Sequence, residues 1–348
     1  MSHVAILCVR NEGAFLLEWL AHHRAVGFDH FVVFSNDCQD GTDTMLDRLA
    51  EMGGVTHIRN DGPYAKGGIQ FTALKEAAKH PTVKQADWIL PLDVDEFVNI
   101  HCGNHTLEAL HTAIPDATAI TLTWRLFGAG AQVRYTDAPV LETFTHAAPA
   151  VMYWPWRAAM FKTLYRNDGT YRKPGVHRPR DVNEKKLGNA RWFDGNGAAL
   201  PEQFVKKRIF SNFGQDNYGL VQLNHYPLGA MESYVLKADR GRAVHSDDML
   251  GVDYWVERNF NTDQDLSIQS LAPARASELA ALMADSPLAQ LHEDAVAWRK
   301  ARFEHLMQKE PFRALFGRLM MTPPSVPVPR KAAQFMVHFA NMARNAAK

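Results

Sequence analysis

The 348-residue sequence holds only three cysteines, Cys8, Cys38 and Cys102, with no CxxC pair among them. Neither a disulfide framework nor a thiolate zinc site is therefore expected. Cys8 lies in the apolar run Val4–Val9 and reads as a small buried hydrophobe. Long apolar runs are also missing: none approaches the roughly 18 residues of a membrane span. The opening MSHVAILCVRNEG lacks the charged start and long apolar stretch of a secretion signal, so a reducing cytoplasm is the expected compartment. An excess of one charge is absent too. Lys and Arg number 38, as do Asp and Glu, and whole-molecule attraction to nucleic acid is not indicated. Hydrophobic residues make up 46%, far from a disordered composition, and the length suits one large domain or two unequal ones. No internal repeat or low-complexity tract is present.

What is there begins with a change of period. Val4–Val9, His30–Phe34, Val55–Ile58 and Trp88–Leu92 are short apolar runs that predict buried strands. Between them, Glu12–Val26, Thr42–Met52 and Gly68–Lys79 carry apolar residues at helical spacing, the first two stopped by Gly27 and Gly53-Gly54. Strands without alternation, separated by amphipathic helices, predict an α/β fold with a mostly parallel sheet flanked by helices. Ligands on such sheets lie beyond the carboxyl ends of the strands. Arg10-Asn11-Glu12, Asn36–Thr42 and Asp93–Glu96 all fall there. The middle, Thr118–Tyr226, is less regular, with strand-like pieces at Ile120–Trp124, Val151–Tyr153 and Val221–Leu223 and a basic stretch from Arg157 to Arg191. Beyond Glu232 the pattern is helical.

The densest chemical signal is Trp88-Ile-Leu-Pro-Leu-Asp93-Val94-Asp95-Glu96-Phe97. Carboxylates at i and i+2 after a strand address one side of it, and hard oxygen ligands suit Mg²⁺ or Mn²⁺ bridging to phosphate. An acidic turn is the competing reading. Val9-Arg10-Asn11-Glu12, Leu17–His23, Gly27–Phe31, Asp40-Gly41-Thr42, Asp93–Phe97, Val176–Pro179, Asn224-His225-Tyr226, Lys237 and Arg240-Gly241 together resemble a branch of the family 2-type glycosyltransferases, over residues 4–242. The resemblance implies a GT-A fold, a nucleotide-sugar donor carried on UDP or GDP, and a carbohydrate or lipid-linked acceptor. It also implies a metal held by Asp93, Asp95 and His225. Arg10, Asn11, Glu12, Asn36, Asp40, Gln70, Asp93 and Val94 would line the donor pocket. His177, Arg178 and Lys237 would face the diphosphate or the acceptor.

A turn and helix cap is the alternative role for Asp40, an exposed polar position for Gln70, and a solvated basic loop for His177. His22 and His23 are expected to belong to their helix, with no metal role. Displacement at a sugar carbon needs a base; Glu142 is the candidate, with Asp181 and Asp216 as rivals. The sequence departs from the simplest family 2 pattern because no clear Glu-Asp pair follows Asp95. The implied organisation is a catalytic domain over 1–242, split into a nucleotide half (1–100) and an acceptor half (101–242). A helical region (243–322) follows, then a Pro-rich linker with a basic amphipathic tail helix (323–348). That helix is a candidate for contact with anionic lipid at the inner membrane face. Two alternatives stay open: another nucleotide-dependent transferase, disfavoured by the single glycine after the first strand, and a non-catalytic carbohydrate-binding or scaffold protein.

Overall fold

The structure is a computed structural model and describes residues 1–64, 68–241 and 250–346. Strands β1 (His3–Val9), β2 (His30–Ser35), β3 (Val55–Arg59) and β4 (Trp88–Leu92) alternate with helices α1 (Gly13–Val26), α2 (Thr42–Met52) and α3 (Gly68–Ala77), close to the predicted spans. Gly27 ends α1 at φ 111°, a left-handed conformation that glycine reaches without a Cβ penalty, and its N–H returns to the His23 and Arg24 carbonyls. The order β3-β2-β1-β4 is parallel throughout.

Beyond β4 the sheet becomes mixed. It continues through β5 (Glu96–Ile100), β6 (Ala119–Leu126), β7 (Phe161–Arg166) and β8 (Val221–His225) in the spatial order β4-β7-β6-β8-β5. Strand β7 is antiparallel to both neighbours, and β8 is parallel to β6 but antiparallel to β5. The α/β class is as expected, with the parallel part confined mainly to the first hundred residues. Val151–Tyr153 is not a strand; it lies in an irregular segment before the 3₁₀ turn Trp156–Ala159.

The C-terminal helices pack on this frame. Ala272–Met283 and Ser286–Met307 lie against α1, and the second also contacts α2 and the helix Met231–Arg240. Leu282 and Leu288 share one core with Leu16, Leu20 and Val33. The expected domain boundary near residue 242 lies outside the described residues. The main core itself continues from the sheet into the C-terminal helices. Among the described residues no helix is long and apolar enough to cross a membrane.

Candidate active site at the Asp93–Asp95 turn

The carboxyl ends of β1, β2 and β4 bring Arg10, Glu12, Asn36 and Asp93 to one rim, as the parallel register requires. Asp93-Val94-Asp95 is not part of a strand. It is a tight turn closed by the Glu96 N–H on the Asp93 carbonyl at 3.0 Å, and it joins β4 to β5. Asp93 and Asp95 still line one cavity together, but each has its own partners. Asp93 accepts from Lys162 Nζ at 2.8 Å and from Gln70 Nε2 at 2.9 Å. Asp95 accepts from Lys237 Nζ at 2.7 Å and has His225 Nε2 3.7 Å away.

Behind the turn sits Glu96, 0% exposed. Its carboxylate accepts from the Asp93 N–H (2.9 Å) and from Trp124 Nε1 (2.7 Å), and Lys162 Nζ lies 3.3 Å away. Burial pushes the Glu96 carboxyl up, with Asp93 and Asp95 adding to the rise and the Lys162 ammonium opposing it. The two carboxylates around Lys162 keep its ammonium protonated despite burial. At Asp95 burial also opposes ionisation, but the Lys237 ammonium outweighs it and holds the carboxyl down to about 2. The His225 ring packs against Trp124, tilted by 40° with ring centroids 4.3 Å apart. Burial lowers it to about 3, so the ring is neutral at pH 7.

Two cavities meet at this turn. One, with about 1190 Å³ of open space, reaches from Asp95 back to Arg10, Asn36 and Gln70. The other, about 1000 Å³, opens between Phe15, Tyr135, Phe144, Tyr226 and Trp298. Glu12, Val94, Asp95, Lys237 and Arg240 line both and form the seam between them. Glu12 is ion-paired with Arg240.

Several candidate residues stand elsewhere or already have partners within the protein. Asp40 takes the Gly13 N–H (3.0 Å) and both Thr42 donors, so it caps α1 and α2 and lines neither cavity. Asn36 lines the first cavity, but its amide is committed to Val9, Phe34 and Asn60. Asn11, at φ 56°, accepts from the Gln39 N–H. Arg178 binds the Val205 carbonyl and lies over the Trp192 ring, and His177 is bound to the Phe161 carbonyl at 3.1 Å. Neither lines either cavity, although the His177 ring meets Trp124 edge-on with centroids 5.6 Å apart. Glu142 is exposed, pairs with Arg275 at 3.3 Å and lines neither cavity. Asp181 pairs with Arg172 and Lys173 on a surface hairpin, and Asp216 holds the Tyr218 N–H in an exposed turn. None of the three carboxylates is placed to act as base. His22 and His23 tie α1 to β5 through Val98, as structural residues.

Lys162 was not among the predicted site residues. A lone lysine in Phe161-Lys-Thr-Leu-Tyr165 is the signal that points to it, since a cation within an apolar strand needs a carboxylate.

Among the described residues no group of three His, Cys, Asp or Glu side chains stands close enough to hold an ion. Asp95 and His225 nevertheless have the right chemistry. Asp95 Oδ1 and the neutral His225 Nε2 are 3.7 Å apart, a spacing two ligands of one ion can have. His225 Nδ1 is buried without a hydrogen-bond partner. Mg²⁺ and Mn²⁺ commonly use one or two protein ligands and complete their shell with water and phosphate. Asp93 already accepts one hydrogen bond on each oxygen, from Gln70 and from Lys162.

Comparison with known proteins gives local and distant likenesses. A glycosyltransferase family 92 protein of Ricinus communis is 26% identical over 113 residues, 31% of this chain and 19% of that protein. A family 92 protein of Oryza sativa subsp. japonica is 26% identical over 112 residues, 31% of this chain and 18% of its own length. The matched stretch thus spans less than a fifth of either plant protein. Among solved structures, S. aureus TarS 1-349 in complex with UDP covers 89% of this chain and 92% of its own, at 14% identity and a TM-score of 0.33. Galactosyltransferase LgtC with donor and acceptor sugar analogues covers 65% and 88%, at 12% identity and a TM-score of 0.32. The description of glycosyltransferase family 92 matches residues 5–190, more than half of the sequence, and the chain belongs to that family.

Proposed function

We propose that the chain transfers a glycosyl group from a UDP- or GDP-sugar to a hydroxyl of a carbohydrate or lipid-linked acceptor, on a GT-A-like frame related to the family 2-type branch. The observation that carries this reading is the seam: Asp95, Lys237 and Arg240 stand where the cavity at the strand ends meets the aromatic cavity. The nucleotide occupies the first cavity, with Arg10 and Gln70 on its walls. Lys237 and Arg240 face the diphosphate and stabilise the charge that develops as it leaves. A divalent ion held by Asp95 and His225 would supply further charge neutralisation there.

The acceptor enters from the second cavity. Its hydroxyl oxygen bonds to the anomeric carbon, and the bond from that carbon to the diphosphate oxygen breaks. The nucleoside diphosphate departs with the electron pair, and the hydroxyl proton passes to Glu12, the seam carboxylate that the ion does not use, which exchanges its Arg240 partner for the acceptor. Cys8, Cys38 and Cys102 are all unpaired, which supports a cytoplasmic setting. The tail helix Arg330–Ala346 exposes Phe335, Phe339 and Met342 and carries no acidic residue, which supports contact with anionic lipid. Phe335→Ser/Phe339→Ser should then reduce co-sedimentation with anionic vesicles, and unchanged sedimentation would refute the contact.

The transfer reading is tested by calorimetric titration of UDP and GDP, with Mn²⁺ and with EDTA, into the wild type and Asp95→Ala. Micromolar binding of one nucleotide, weakened about 100-fold or more by Asp95→Ala, is expected. If no nucleoside diphosphate binds under either condition, the transfer reading fails.

A further inference from the structure

The aromatic cavity carries more positive charge than its own acids balance. Three carboxylates line it, and each is already paired: Glu12 with Arg240, Asp95 with Lys237, and Asp239 with Arg302 at 2.7 Å. Two further guanidiniums on the same wall, Arg134 and Arg299, have no ion-pair partner among the described residues. Arg134 is exposed, whereas Arg299 is only 8% exposed. Its guanidinium lies over the rings of Phe15 and Tyr135, 4.6 and 4.9 Å from their centroids. The Arg299 Nε is buried without any hydrogen-bond partner. Ring faces attract a cation but cannot accept its N–H donors as a carboxylate or phosphate does. A buried charge left in that state is costly, and an incoming anion removes the cost.

The surroundings of Arg299 are fixed before any ligand arrives. The Tyr135 N–H donates to Glu232 at 2.9 Å, and the Gln132 and Val133 carbonyls accept from the Met231 and Glu232 N–H groups. Arg299 itself sits inside the 22-residue helix Ser286–Met307.

We infer that Arg299 is the recognition residue for an anionic group, phosphate or carboxylate, on the acceptor, with Arg134 as a second contact at the exposed edge. This rests on the transfer reading above, which makes the aromatic cavity the acceptor side. The planar guanidinium fork matches either anion bidentately, and Tyr226, Phe144 and Trp298 give the same cavity apolar lining for sugar or lipid carbons.

The test is equilibrium binding of glucose 6-phosphate, glucuronate and glucose to the full chain, each with and without saturating UDP. At least one anionic ligand should bind about tenfold tighter than glucose. Which of the two wins separates a phosphate-bearing acceptor from a uronate-bearing one. Arg299→Met, which keeps apolar packing on Phe15 and Tyr135, should reduce the preference to below about twofold, and Arg299→Lys should restore part of it. A merely structural Arg299 would lower the melting temperature in Arg299→Met and leave the anion preference intact, which overturns the inference. Should Arg299→Met fail to fold, the wild type still decides, because equal affinity for all three ligands, or none for any, also overturns it. UDP binding without anion preference sinks the acceptor inference alone. Anion preference without nucleotide binding supports the Arg299 contact and sinks the transfer reading.

Discussion

Asp93 and Asp95 are separated by one residue, and their surroundings differ more than their chemistry. On the Asp93 side, Lys162 is 1% exposed by side chain and is held by two carboxylates, one of them the fully buried Glu96. On the Asp95 side, Lys237 is 19% exposed by side chain, and both residues line the two cavities. The first arrangement is an ion cluster anchored on the buried Lys162 and Glu96, with Asp93 at its cavity-facing end, and it fixes the turn. The second is an ion pair at a solvent-accessible seam, where an incoming anion or cation can exchange with either partner. Both aspartates thus reach the strand-end cavity, but only Asp93 is tied to a buried cation, and the lysine supplied from a distant strand or helix makes the difference.

That contrast can be broken most forcefully at Lys162. Lys162→Met leaves Glu96 and Asp93 without their cation and should cost about 3–5 kcal/mol of stability, read by urea unfolding at pH 7. Asp95→Asn should cost about 1 kcal/mol by the same measurement, since Lys237 keeps access to water. Equal losses in the two variants would refute the distinction.

A second prediction sharpens the fixed side, where His22 ties α1 to β5, the strand that begins with Glu96. The His22 ring donates from Nε2 to the Val98 carbonyl, and its Nδ1 is buried without a partner. Burial lowers its pKa to about 4, against 6.5 in the unfolded chain. The unfolded chain takes up that proton first, so the contribution is lost as pH falls from about 6.5 to 4 and is constant above that window. Two to three pKa units correspond to about 3 kcal/mol. Wild-type protein should lose that much more stability than His22→Gln between pH 7 and pH 4; parallel curves would refute the assignment. The smallest effect is expected away from the turn: Glu142→Gln should leave kcat/KM within about twofold, because that carboxylate faces Arg275 on the surface. A loss of about 100-fold would return it to the site as a base.

The parallel half of the fold was legible because its strands are uninterrupted apolar runs between amphipathic helices, and Thr42–Met52 and Trp88–Leu92 carry the predicted bounds. The rim followed, since parallel strands necessarily align their carboxyl ends. The mixed half was not legible. Strand β7 joins β4 to β6 by pairing antiparallel with both, and no local pattern in Phe161–Arg166 specifies those distant neighbours. The same limit explains the site. Asp95 and His225 meet across the sheet, whereas Glu142, His177 and Arg178, which rest on the same family resemblance, take Arg275, the Phe161 carbonyl and the Val205 carbonyl as partners. A polar residue is available to a ligand only where folding has left it without a better partner, and that depends on the tertiary neighbours.

Trp124 has an optical consequence. Its indole N–H is bound to the buried Glu96 carboxylate while its ring rests on His225 and lines the cavity at the strand ends. Emission from an indole responds to nearby charge and to quenching by a contacting imidazole, so ligand entry at the turn should alter both intensity and wavelength. The sequence has eight tryptophans, and a difference spectrum against Trp124→Phe would isolate this one. The protein therefore carries its own fluorophore in the strand-end cavity, able to report occupancy in real time without a label.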